Sequence, residues 1–207
     1  MNNLRPGNVS ALPQNIERRY FNNPEFDDFI RFGVEDDGSC FFHSISAALN
    51  LSNYHQRSQK SKRKIGRNLR RILQRTMTAE TWKEFWESRG VQIKSVPNLR
   101  TVIKKMKNPS QWSDVYMILY IMDSLGLNIV FFDGQTQKMY CGVRGKSDAK
   151  QTVFILWVAR SHFEPIFSVD ANKKVKTIFN KTDSIVKHVM DIYSTSPCGN
   201  VTLHSIL

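Results

Sequence analysis

Cys40 has the surroundings best suited to chemistry. It follows Asp37, Gly38 and Ser39, a turn-forming run, and it opens an apolar stretch from Phe41 to Leu49. A thiol at the start of a helix sits over the positive end of the helix dipole. That lowers its pKa and favours the thiolate, the form that attacks carbonyls. Far downstream stand Ser161, His162, Phe163 and Glu164, directly after a strand-like segment. Successive strand residues point to opposite faces, so His162 and Glu164 share one, and the carboxylate can accept from the imidazole N–H and fix the ring. A nucleophile, a base and an acid that orients the base are three of the four parts that acyl transfer to a thiol requires. Backbone N–H groups of the turn, at Cys40 and near Asp37 or Gly38, are candidates for the fourth, the donors to an oxyanion. Gly38 lets the backbone curl so that they point inward.

Each of these residues also has an ordinary reading. Asp-Gly is a common turn, Ser39 a plausible helix cap, and a cysteine ahead of phenylalanines a small buried hydrophobe. Lone histidines mostly sit in loops, and Glu164 beside Pro165 reads equally as a solvated acid. His43 competes with His162 as base. It lies on the helical face of Cys40, three residues on, but it has no evident orienting acid, and a helix-surface or packing role suits it better. The two halves gain meaning together: early cysteine and late histidine follow the chain order of papain-like thiol hydrolases.

The elements that must position these groups read as helices first and strands afterwards, an α+β arrangement. Residues 1–24, with Pro6, Pro13 and Pro24, read as a mostly extended arm; Phe26, Phe29, Ile30 and Phe32 begin the core. The helix opened by Cys40 runs to about Asn50. Arg57 to Arg75 holds nine basic residues, with Ile65, Leu69, Ile72 and Leu73 at helical spacing, hence an amphipathic helix with a basic outer face. Shorter helices are expected over Thr81–Ser88, closed by Gly90, and over Leu99–Met106. A stronger one spans Trp112–Leu125, capped by Ser113 or Ser110 and stopped by Gly126. A meander of strands follows: Asn128–Phe132, Lys138–Val143, Thr152–Val158 and Phe163–Val169, with a turn at Asp133-Gly134 and a polar loop at Gly145–Lys150. Beyond Asp170 the composition becomes lysine-rich, and a helix is expected over Ser184–Tyr193. The division is an N-terminal arm (1–24), a catalytic domain (25–170) and a C-terminal extension (171–207).

Composition bounds the rest. A hydrophobic content of 41% across 207 residues supports one folded core. The longest apolar run, Val115 to Met122, is far short of the roughly 18 residues of a membrane span. Arg5, Pro6 and Asn8 interrupt any signal-peptide core, so a soluble, cytoplasmic protein is expected, with the nucleus a further compartment. Cys40, Cys141 and Cys198 are odd in number and widely spaced, which implies neither a disulfide framework nor a paired C-x-x-C zinc site. The net charge of +12 attracts polyanions without saying which.

At its two motifs the sequence resembles the ovarian tumour (OTU) family of cysteine proteases, which are deubiquitinases. The family pattern D-G-x-C followed by an apolar and an aromatic residue matches Asp37-Gly38-Ser39-Cys40-Phe41-Phe42, and the late histidine flanked by a small or polar and an aromatic residue matches Ser161-His162-Phe163. Trp112-Ser113-Asp114, leading to Asn128-Ile129-Val130, is similar to the family's middle segment. The likeness covers roughly residues 26–170, and the compact form is reminiscent of OTU enzymes carried by viruses. The family usually has Asp or Asn two positions after the histidine; here it is Glu164, whose extra methylene shifts the carboxylate, and Asp36 or Asp37 could orient the ring instead. The residue after the cysteine, usually Leu, is Phe41.

The resemblance implies a papain-like OTU fold, a small, mostly antiparallel sheet flanked by helices. It implies hydrolysis of the isopeptide bond between the ubiquitin C-terminus and a lysine, through a Cys40 thioester. His162 would protonate the leaving amine, Glu164 would orient it, and turn amides around Asp37 and Cys40 would hold the oxyanion. No metal or cofactor is needed, and the partners would be ubiquitin, polyubiquitin chains or ubiquitin-like modifiers. The extended, arginine-bearing ubiquitin tail would thread between the Cys40 turn, with Gly38 and Ser39, and the His162 strands, with Phe163. Glu35, Asp36 and Asp133 are candidate acidic contacts, and equally ordinary turn residues. Two other readings stand beside this one. One is a nucleic-acid-binding module built on the basic 57–75 helix, though that helix lacks interleaved aromatics for base stacking. The other is a ubiquitin-binding fold without catalysis.

Overall fold

Among the described residues, eight strands form one mixed sheet that separates two apolar layers. The computed structural model of the chain describes residues 2–141 and 151–195. The strands are β1 (Val9–Ala11), β2 (Asp28–Phe32), β3 (Leu127–Asp133), β4 (Met139–Cys141), β5 (Gln151–Val158), β6 (His162–Val169), β7 (Val175–Lys176) and β8 (Phe179–Asn180). They lie in the order β1-β2-β6-β5-β3-β4, with β7 beside β6 and β8 beside β5. Six of the seven pairings are antiparallel, but β3 and β5 run parallel from Leu127↔Gln151 to Asp133↔Trp157. The expected meander is therefore broken once. β4 folds back on one side of β3, so β5 must take the other. Both strands are buried on both faces, which is why Ile129–Phe132 and Val153–Leu156 read as unbroken apolar runs.

Five helices gather on one face: α2 (Cys40–Ala48), α3 (Gln59–Thr76), α4 (Ala79–Glu87), α5 (Leu99–Lys107) and α6 (Val115–Leu125). Their ends follow capping chemistry. The Ser58 hydroxyl accepts from the N–H of Ser61, Thr78 and Thr81 close a reciprocal box, and Gly126 takes the left-handed conformation, φ 61°, that ends α6. The cap of α6 is Asp114, whose Oδ1 accepts from Met117 N–H at 3.0 Å, and not Ser113 or Ser110. A carboxylate there also meets the helix dipole.

The other face is covered by the two chain ends. The arm is not mostly extended. Gln14–Ile16 forms a helical turn, α1, that runs into a π-turn over Glu17–Phe21, and Ile16, Tyr20 and Phe21 are buried against Phe132, Phe154 and Phe29. These apolar residues recur at helical spacing, and burying them outweighs the prolines nearby. α7 (Ser184–Thr195) packs Ile185, Val186 and Val189 into the same layer. Residues 142–143 of the expected second strand, the polar loop Gly145–Lys150, Cys198 and His204 lie outside the described residues.

Candidate active site

The first residue of α2 is Cys40 and the first of β6 is His162. α2 docks on β6 through the Ser44 hydroxyl, which donates to the Phe163 carbonyl at 2.8 Å, and through the Phe41 and Phe163 rings, 5.8 Å apart. The Phe163 N–H in turn reaches the Cys40 sulfur. The thiol therefore lies beside the residue that follows His162, and both groups interact with the same two acids, Asp36 and Asp37. Both are enclosed, Cys40 at 2% exposure and His162 at 0%.

Enclosure changes the expected charge state. The helix N-terminus favours a thiolate, yet burial pushes the Cys40 thiol up to about 12, with Asp36 and Asp37 pushing the same way. The N–H groups of Phe163 and Phe41 oppose this and do not overcome it. Desolvation of a charge in an apolar wall exceeds the dipole of a nine-residue helix. Burial also holds His162 below the ordinary histidine range, against the pull of Asp36. At neutral pH Cys40 is a thiol and His162 a neutral imidazole.

The acids divide their work. Glu164 shares the strand face of His162, and its Oε1 lies 3.9 Å from His162 Nε2. Glu164 is fully buried, and its hydrogen bonds come from elsewhere: Leu4 N–H donates to Oε1 at 2.7 Å, and the Arg31 guanidinium pairs with Oε2 at 3.2 Å. Burial still raises its pKa above the usual glutamate range. Asp36, half exposed, approaches the other ring nitrogen, with Oδ1 3.3 Å from His162 Nδ1. The Asp37 carboxylate makes its close contacts elsewhere. It pairs with His43 at 3.3 Å and Arg67 at 3.1 Å, and it caps the Ser39 N–H at 2.8 Å. Burial raises the Asp37 pKa, but these partners outweigh it and hold it at about 2. Glu35 is buried and paired with Arg63 at 2.8 Å. Asp133, also buried, accepts from the N–H groups of Gln135 and Thr136 and pairs with Arg160 at 3.2 Å. Of the three expected acidic contacts, only Asp36 is open to solvent.

The turn itself is held differently from expectation. Cys40 N–H donates to the Asp37 carbonyl at 2.9 Å, as the first bond of the turn into α2, so that donor is engaged. The N–H groups of Asp36, Asp37 and Gly38 donate to no backbone carbonyl among the described residues. Glycine is required at 38 by contact and not by curl: a Cβ there would overlap the backbone of Ser110 and Gln111. Ser39 is not a side-chain cap; its hydroxyl donates to the Pro109 carbonyl at 3.2 Å and accepts from Arg70. The Phe163 ring points into the core and stacks on Trp157 at 6.0 Å, so only its backbone meets the site.

One residue of the site, Arg70, escaped sequence reading, and a second, His43, was read without its acid partner. Arg70 was one of nine cations between Arg57 and Arg75; it is 2% exposed. Its guanidinium donates to the carbonyls of Gly38 (2.7 Å), Met106 (2.9 Å), Lys105 (2.8 Å) and Gln111 (2.7 Å), tying the Cys40 turn to the end of α5. The signal was its position: Gly66, Leu69, Arg70 and Leu73 form the inward stripe of α3. His43 is fully buried and lies flat on Gly66, where a Cβ would overlap its ring. It supports Asp37, the acid that sequence reading did not give it. Among the described residues no group of three or more His, Cys, Asp or Glu side chains gathers as a metal site.

The chain is similar to known proteins in sequence pattern and in fold. The sequence pattern described as OTU-like cysteine protease matches residues 35–163. The fold is similar to an OTU domain solved in complex with ubiquitin, with TM-score 0.54, 19% identity, and 90% of this chain and 89% of that one covered. It is also similar to the OTUD1 OTU domain, with TM-score 0.50, 18% identity, and 68% and 86% covered. The viral OTU protease of Dera Ghazi Khan virus aligns with TM-score 0.44 at 18% identity over 67% of this chain and 80% of that one. Comparison with curated protein sequences gives no match. Among the described residues no helix is long and apolar enough to cross a membrane.

Proposed function

The chain belongs to the OTU-like cysteine protease family, and on that premise we propose that it is a deubiquitinase cleaving the isopeptide bond at the ubiquitin C-terminus through a Cys40 thioester. The observation that carries this reading is the meeting of α2 and β6, with the thiol against the Phe163 N–H and the His162 ring between two acids. Its similarity to an OTU domain bound to ubiquitin supports the choice of substrate.

The charge state supports a particular order of events. His162 starts neutral and takes the thiol proton as sulfur attacks the terminal glycine carbonyl. The resulting imidazolium is favoured by Asp36 and Glu164, and it protonates the leaving lysine amine. Water, deprotonated by the same ring, then cleaves the thioester. Oxyanion donors would come from the turn, through N–H groups of residues 36–38, or from Cys40 once its bond to the Asp37 carbonyl is released. Because the site is enclosed, the substrate tail must displace atoms that now cover the sulfur. A reducing, intracellular compartment suits a free buried thiol.

Ubiquitin carrying a C-terminal electrophile tests the reading. A covalent adduct that maps to Cys40, and that is lost in Cys40→Ala and His162→Ala, is expected. A folded protein that forms no adduct and cleaves no diubiquitin overturns it. One observation favours a second activity. A cavity of about 380 Å³ lies between α3 and α5, lined by Arg67, Arg71, Arg75 and Lys107 with no acid in its wall. Nucleic-acid binding there would weaken steeply with salt and ignore Cys40→Ala.

A further inference from the structure

The segment that ties down Glu164 lies far outside the family pattern. Residues 2–5 lead into β1 and run along the end of β2, where Gly7 N–H donates to the Gly33 carbonyl and Gly33 N–H to the Asn8 carbonyl, each at 2.8 Å. Gly33 is bare for this reason: a Cβ would overlap the Arg5 carbonyl and the Leu4 side chain. The run ends on the acids that flank His162. Leu4 N–H donates to Glu164 Oε1 at 2.7 Å, and the Asn3 amide donates to Asp36 Oδ2 at 2.7 Å. Arg31, whose guanidinium meets Glu164 Oε2, also donates to the Asn2 carbonyl at 3.2 Å.

We propose that this arm is a positioning element of the active site, acting on His162 through Glu164; the proposal rests on the hydrolase reading above. A glutamate has one more rotatable bond than an aspartate, and its carboxylate has more positions open to it. The Leu4 amide and Arg31 remove that freedom, one on each oxygen. Oε1 is then fixed 3.9 Å from His162 Nε2, from where a small closure makes the hydrogen bond. The same two donors oppose the effect of burial, which still raises the carboxyl pKa, and so favour the ionised form that can accept from the ring. His162, Glu164 and Arg31 lie on the sheet face that also carries Ile166 and Phe29, the face the arm covers, so the contact follows from strand alternation.

Leu4→Pro removes the N–H, and it also fixes φ at residue 4 and restricts Asn3; Leu4→Ala keeps the N–H. With a ubiquitin C-terminal amide as substrate, Leu4→Pro is expected to lower kcat about tenfold with KM unchanged, and to move the acidic limb of the kcat profile to higher pH. Leu4→Ala should retain several-fold more activity than Leu4→Pro. In a Glu164→Gln background Leu4→Pro should add no further loss. Equal activity in the Pro and Ala variants, a change in KM alone, a gain in activity, or an undiminished loss in the Glu164→Gln background each overturns the proposal. Alkylation of Cys40 by iodoacetamide across pH, with and without Leu4→Pro, needs no ubiquitin. Should the wild type cleave no ubiquitin substrate, the hydrolase reading falls, while an unshifted alkylation profile would separately reject the arm's role. Melting curves of each variant separate these effects from unfolding.

Discussion

At the scale of the residue, the site is built to suppress charge until it is needed. Burial holds the Cys40 proton on and the His162 proton off. On the proposed mechanism a resting thiolate would attack any small electrophile, whereas a thiol keeps its proton until a bound carbonyl draws the sulfur forward. The free enzyme should therefore alkylate slowly at neutral pH. With the thiol pushed up to about 12, the iodoacetamide rate at Cys40 is expected to keep rising beyond pH 9. A plateau below pH 7 would mean a preformed thiolate–imidazolium pair. The Cys40 turn and the His162-Phe163-Glu164 stretch were legible because chemistry constrains residue type and spacing. The charge state was not: it depends on burial by Phe163 and on acids that only folding brings near.

At the scale of the element, α3 is two helices in one. Its outer stripe carries cations to solvent, and its inner stripe holds Gly66 under His43 and Arg70 under the Cys40 turn. Propensity alone predicts that Gly66→Ala stabilises a helix by about 1 kcal/mol. Here the added methyl overlaps a fully buried ring, and overpacking of this kind costs roughly 1–3 kcal/mol. Gly66→Ala is expected to lower the melting temperature and the activity together, because the ring it displaces braces Asp37. A rise in melting temperature would show that His43 can move aside freely. Helix spans were legible from 3.6-residue periodicity, and most ends agree to within two or three residues. Arg70 was hidden because nine cations between Arg57 and Arg75 dilute the meaning of any single one. The parallel β3–β5 pairing was hidden because no local pattern tells a strand which neighbour to take.

At the scale of the molecule, stability and pH are linked through these same groups. His55 and His162 are both held below the ordinary histidine range, chiefly by burial. A depressed folded-state pKa means that the unfolded chain binds the proton first, so this stability is present above the histidine value of 6.5 and is lost as pH falls below it. Asp37, held at about 2 against 3.8 unfolded, behaves alike at lower pH: its contribution is complete above 3.8 and is lost toward 2. Glu164 has the opposite sign, since its raised pKa favours folding at low pH and gives that up as pH rises. The melting temperature should fall in two stages, first as pH drops below 6.5 and again below 3.8, and Asp37→Asn should flatten the second. A single transition unaffected by Asp37→Asn would remove Asp37 from the account.

The path of the first few residues has a practical side. Asn2, Asn3 and Leu4 stand among the polar contacts around Asp36 and Glu164, so an affinity tag or its remnant joined near them would be tethered beside those acids. Preparations that differ only in those extra residues would then disagree about turnover, and the disagreement would be one of geometry rather than purity.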